Sequence, residues 1–66
     1  MIQVGDTVIV KDEDEAPELW EECPPDGILP GDEGTVLSNI DGDLNCAFPG
    51  SPYQYYMLHE NEVKVK

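Results

Sequence analysis

The chain has 66 residues, in which 15 aspartates and glutamates face three lysines and no arginine, for a formal charge of −12 at pH 7. That length holds one domain with a small core, and the charge argues against DNA, RNA and anionic membrane surfaces as direct ligands, because like charges repel. Apolar residues make up 39% of the chain and are gathered in short runs, which argues against full disorder while leaving room for a mobile acidic segment.

The first such run is at residues 6–11, where β-branched residues are dense and Val8 and Val10 share one face; it predicts strand one. Residues 12–33 lose that pattern and form a long acidic loop. Seven of the eleven residues from 12 to 22 are acidic, and Asp26, Asp32 and Glu33 follow, so ten of the fifteen carboxylates lie here. Pro17, Pro24, Pro25 and Pro30, with Gly27 and Gly31, forbid a continuous strand or long helix. A short helical turn over 16–22 is expected, with Pro17 in the first helical position, acids near the N-terminal end of the dipole, and Pro24-Pro25 as the stop. Leu19 and Trp20 are the large apolar residues of the acidic stretch. Either they anchor the loop on the core, which offsets the entropy of ordering it, or Trp20 is exposed as a contact for a partner.

Gly31-Asp32-Glu33-Gly34 reads as a turn and 35–40 as strand two, with Val36 inward. Asp41-Gly42 is a hairpin signal, so 44–48 should pair back as strand three, with Leu44, Cys46 and Phe48 on one face. After the turn Pro49-Gly50-Ser51-Pro52, residues 53–58 read as strand four, 59–62 as a helical turn and 63–66 as a last strand. Alternation along strand four sends Tyr53 and Tyr55 to one face and Tyr56 to the other, so at least one tyrosine reaches the surface, as rim packing or as an aromatic patch beside the acidic loop. Five short strands imply a small closed or nearly closed β-barrel in a single domain, 1–66.

The order of these elements resembles the SH3-like barrel in its bacterial and KOW-related forms. The residues that carry the resemblance are the opening Gly5-Asp6-Thr7-Val8-Ile9-Val10, the step Gly31-Asp32-Glu33-Gly34-Thr35-Val36, the Asp41-Gly42 hairpin, and the close from Tyr56-Met57-Leu58 through Asn61-Glu62-Val63. It implies an all-β, SH3-like five-stranded small barrel with a long acidic loop between strands one and two. Function does not follow from the fold alone. KOW-type nucleic-acid binders would be expected to present basic residues that are absent here. Peptide-binding SH3 domains share an acidic loop after strand one, but this chain lacks their Ala-Leu-Tyr-Asp-Tyr opening and paired tryptophans. The composition is also similar to that of small acidic proteins with which phages block host proteins.

Several chemistries find no support. Counted from Asp12, a twelve-residue calcium loop would need its glycine at Pro17 and its last glutamate at Cys23; counted from Asp41, those positions hold Cys46 and Pro52. No cofactor or metal is expected. His59, the one histidine, has no nucleophile at a recognisable spacing, phosphate-binding fingerprints are lacking, and adjacent carboxylates such as Glu21 and Glu22 have no pocket to separate their pKa values. An enzyme is therefore not expected. Cys23 and Cys46 fit no redox or zinc spacing and read as reduced thiols, Cys46 in the core and Cys23 in the loop. Without an apolar run of membrane length or a secretory start, a monomeric cytoplasmic protein is the expectation.

A partner with a basic surface follows from the charge. At about one charge per 1.7 Å of duplex DNA, twelve charges match roughly 20 Å of helix, while a domain of this size should have a radius of gyration of about 11 Å. The expected binding surface is Asp12, Glu13, Asp14, Glu15, Glu18, Trp20, Glu21, Glu22, Asp26, Asp32 and Glu33. Its sharpest form is imitation of a nucleic-acid backbone that occupies and inhibits a DNA- or RNA-binding protein. Alternatives are an accessory domain that docks on a larger enzyme or assembly, a proline-rich peptide binder, or acids that only keep the protein soluble.

Overall fold

The computed structural model describes residues 2–21 and 25–66. Its elements are β1 (Thr7–Val10), α1 (Pro17–Glu21), β2 (Glu33–Ile40), β3 (Asp43–Ala47), β4 (Tyr56–His59), a 3-10 turn (Glu60–Glu62) and β5 (Val63–Val65). All five strands join one antiparallel sheet in the order β4-β3-β2-β1-β5. The domain is all-β apart from α1 and the 3-10 turn. The sheet is open rather than closed into a barrel, because β4 and β5 are its two edges. The Glu60–Glu62 turn carries the chain directly from one edge strand to the other.

The core forms where inward alternation from each strand converges: Val8 and Val10, Val36, Leu44 and Cys46, Tyr56 and Leu58, and Val63. Phe48 stacks edge-on against Tyr56 with ring centroids 5.6 Å apart. The loop between β1 and β2 adds Ala16, Leu19 and Ile28 to this cluster, so it is a covering layer of the core and not an appendage. Its base is closed by backbone bonds from Val10 N–H to Asp32 O (2.9 Å) and from Gly31 N–H to Val10 O (2.8 Å).

The hairpin is held as Asp-Gly chemistry dictates. Asp41 and Gly42 both have positive φ, 53° and 88°, as a type I′ turn requires, and Asn39 Oδ1 accepts from Gly42 N–H at 3.0 Å. Two departures from simple alternation occur. Val36 pairs with Cys46 but Ser38 pairs with Asn45, so Leu37 is an extra residue in β2. This bulge shifts the phase of the strand and turns Ile40 outward, where it is 68% exposed. Strand four begins at Tyr56 rather than 53. Ser51 Oγ accepts from Tyr53 N–H at 3.1 Å, and this local bond beside Pro52 holds the chain in a bend despite the strand preference of tyrosine.

Candidate functional site

Leu19 and Ile28 pin the two arms of the acidic loop, and between them the carboxylates divide by use. In the first arm Asp12 Oδ1 accepts from Glu15 N–H at 2.9 Å, and Ala16 N–H bonds to Asp12 O at 2.8 Å, which turns the chain into α1. Glu15 meets Lys64 at 3.4 Å. The side chains of Glu13, Asp14, Glu18 and Glu21 are exposed and have no hydrogen-bond or ion-pair partner among the described residues. Glu22, Cys23 and Pro24, to which a binding role, a loop thiol and part of the helix stop were assigned, lie outside the described residues.

The second arm spends its acids internally. Asp26 Oδ2 accepts from Tyr53 Oη at 3.4 Å, Asp32 Oδ2 accepts from Leu29 N–H at 2.9 Å, and Glu33, expected in the loop but placed by its pairing with Ile9 as the first residue of β2, meets Lys66 at 2.9 Å. Both ion pairs are about half exposed, where such pairs contribute little. Gly27, with φ of 92°, packs so closely on Pro52 and the Tyr56 hydroxyl that a β-carbon would collide with both.

Trp20 is an anchor. It is partly buried against the core, and its indole N–H donates to Lys11 O at 2.7 Å, closing the first arm back onto the end of β1. A buried indole needs such a partner. What remains open to a contact is the part of the ring left at the surface. The aromatic patch lies elsewhere. Tyr56 is buried, with its hydroxyl bonded to Ser51 Oγ (2.6 Å) and Asp26 O (2.5 Å), while Tyr53 stacks edge-on over it at 5.7 Å. Tyr53 and Tyr55 are about half exposed, and of the two it is Tyr53 that stands beside Asp26 of the loop.

Cys46 and His59, outside the loop, are structural. Burial pushes the Cys46 thiol up to about 11, so at neutral pH it is a protonated core residue. His59 caps the 3-10 turn: its Nδ1 accepts from Asn61 N–H at 3.2 Å, and its own N–H donates to Glu62 Oε1 at 2.6 Å. No group of three or more His, Cys, Asp or Glu side chains among the described residues is arranged to hold a metal. No helix among them is long and apolar enough to cross a membrane. Comparison with protein-family models, curated proteins and solved structures returned no match.

Proposed function

We propose that this chain is a non-enzymatic, SH3-like binding domain that engages a basic surface of another protein through the first arm of its acidic loop. The observation that carries the reading is the set Glu13, Asp14, Glu18 and Glu21, exposed and without a partner among the described residues, on a segment anchored by Leu19 and Trp20. An anchored loop has already lost much of the entropy that ordering on binding would cost. The charge then acts first at long range, raising the encounter rate with a cationic surface and making affinity fall with salt. The exposed face of Tyr53 is available for short-range contact near Asp26.

In its sharpest form the partner is a DNA- or RNA-binding protein whose basic groove is inhibited by a surface of similar charge density. The molecule measures 27 × 25 × 19 Å with a radius of gyration of 10.6 Å, and its net charge of −12, taken over the whole body, equals that of roughly 20 Å of duplex. The name SH3-like rests on the order of elements, five strands with the acidic loop after the first and a 3-10 turn before the last.

Affinity capture from the source cell at low salt, followed by salt elution, tests this directly. A protein with a basic ligand-binding face should be retained and should elute as salt rises; a main product without such a face, or retention indifferent to salt, rejects the reading. A second reading, an accessory domain that docks on a larger assembly, is favoured by one feature. Edge strand β4 has Met57 76% exposed beside Asn45 and Ser38, with Leu37 at the bulge, and an unpaired strand edge is a natural docking element. In that case neutralising residues 12–15 leaves complex formation intact, while disrupting β4 abolishes it.

A further inference from the structure

β1 begins only at Thr7 and pairs with β2 no further than Thr35, so the last half of β2 outruns its neighbour. The N-terminal segment fills that place incompletely. Gly5 N–H bonds to Val36 O at 2.9 Å, and Asn39 Nδ2 reaches Ile2 O at 2.6 Å, but between them a groove of about 480 Å³ stays open, with Ile2 and Val4 on one wall and Asn39, Asp41 and Glu60 on the other. It is a half-open surface groove and not an enclosed cavity. Asn39 ties the two walls together, holding the N-terminal segment with its amide nitrogen and the hairpin turn with its oxygen, and Glu60 N–H bonds to Gly42 O at 2.9 Å. Val4 is 65% exposed there, and neither Asp41 nor Glu60 has a side-chain partner among the described residues.

A second cleft, of about 270 Å³, lies between α1 and the 3-10 turn, floored by Ala16, Pro17 and Leu19 and edged by Glu18 and Glu62. Glu60 lines the first cleft, and Asn61 and Glu62 line the second, so the Glu60–Glu62 turn is their common wall. Both combine apolar lining with carboxylates. Of the lysines, Lys64 and Lys66 are drawn to Glu15 and Glu33.

We infer that the partner's contacting segment is an extended basic peptide that lies across the Glu60–Glu62 turn and seats alternate residues in these two clefts. The inference rests on the proposed recognition of a basic protein and narrows it from a surface to a strand-like segment. Cationic side chains face Asp41 and Glu60 at one end and Glu18 at the other, while their aliphatic stems rest on Ile2, Val4, Pro17 and Leu19 and the intervening residues point away from the surface. Occupying two clefts with one chain makes the second contact intramolecular, which raises affinity above either alone.

The test is calorimetric titration of the full chain with an acetylated octapeptide of alternating lysine and valine, alongside a tetrapeptide of the same pattern. The octapeptide should bind at least about tenfold more tightly than the tetrapeptide. Asp41→Asn/Glu60→Gln should weaken it about fivefold and Glu18→Gln about two- to threefold. Asparagine tolerates the positive φ of Asp41, and an unchanged unfolding midpoint confirms that the variant is folded. Amide shifts on titration should appear at Asn39, Gly42 and Asn61 as well as at Ala16. Equal affinity of the two peptides, indifference to Asp41→Asn/Glu60→Gln, or no binding at all overturns the inference. The recognition of a basic surface stands or falls separately, on the salt-eluted capture.

Discussion

The two arms of the acidic loop differ in how many carboxylates they leave to solvent: in the first, Asp12 accepts from Glu15 N–H and Glu15 pairs with Lys64, but the other described acids have no partner among the described residues. Asp26, Asp32 and Glu33 of the second arm are bound to Tyr53, to the backbone of Leu29 and to Lys66, whereas Glu13, Asp14, Glu18 and Glu21 of the first arm are exposed and unpartnered among the described residues. A carboxylate that accepts an internal hydrogen bond shapes the chain; one left to solvent repels its neighbours and gains from a cation brought to it. Net charge is therefore a poor map of a binding surface until the internally used acids have been removed from it.

If both arms are pinned to the core, the largest effect comes from removing a pin. Leu19→Ala in the first arm and Ile28→Ala in the second should each destabilise the domain by about 2–4 kcal/mol in denaturant unfolding. A cost below about 1 kcal/mol at either position would mean that its arm is not part of the core. Next comes the pH response of Cys46, which lies under the sheet and not in either arm. Its thiol is near 9 when unfolded and about 11 when folded, so stability is fully retained below pH 9. It then declines toward pH 11, as the unfolded chain loses a proton that the folded one keeps. Cys46→Ala should remove about 2 kcal/mol of that decline under reducing conditions; an identical alkaline slope in the variant counts against a sealed thiol.

Tyr56→Phe separates the arms more finely. It deletes the hydroxyl shared by Ser51 and Asp26, which ties only the second arm, and should cost about 1–2 kcal/mol. Amide exchange should quicken at 26–28 while α1 is unaffected, and faster exchange throughout the loop would show that the arms are one unit. The smallest effect on stability belongs to the first arm. The set Glu13→Gln, Asp14→Asn, Glu18→Gln and Glu21→Gln should leave the unfolding midpoint unchanged or slightly raised through relief of repulsion, and a clear loss would reveal a structural role that the geometry lacks.

Much of the fold was legible because local chemistry and the tertiary arrangement agree. Asp41-Gly42 permits the positive φ of a type I′ turn, Val8 and Val10 alternate inward, and Pro17 starts a helical turn as its fixed φ favours. The bulge at Leu37 was not legible, since no glycine marks it and it follows from fitting β2 across β1 and β3 at once. The early start expected for strand four came from tyrosine propensity and yielded to the Ser51–Tyr53 bond. The open sheet follows from edge strands of four and three residues joined directly by the 3-10 turn. At the site, composition located the acidic loop but could not apportion its acids, because the lysines that occupy two of them lie 49 and 33 residues away. Trp20 as an anchor was one of two readings, decided by its bond to Lys11 O. The groove at Asn39 carried no signal, since a long-range bond to Ile2 builds it.

The most direct measurement is capture of a basic partner from the source cell by three immobilised forms: the wild type, the four-fold neutralised first arm, and Asp26→Asn/Asp32→Asn/Glu33→Gln in the second arm. The wild type and the second-arm variant should retain the same lysine- or arginine-rich protein at low salt and release it on salt elution, while the first-arm variant retains little. Equal retention by all three, or loss confined to the second-arm variant, would contradict the account.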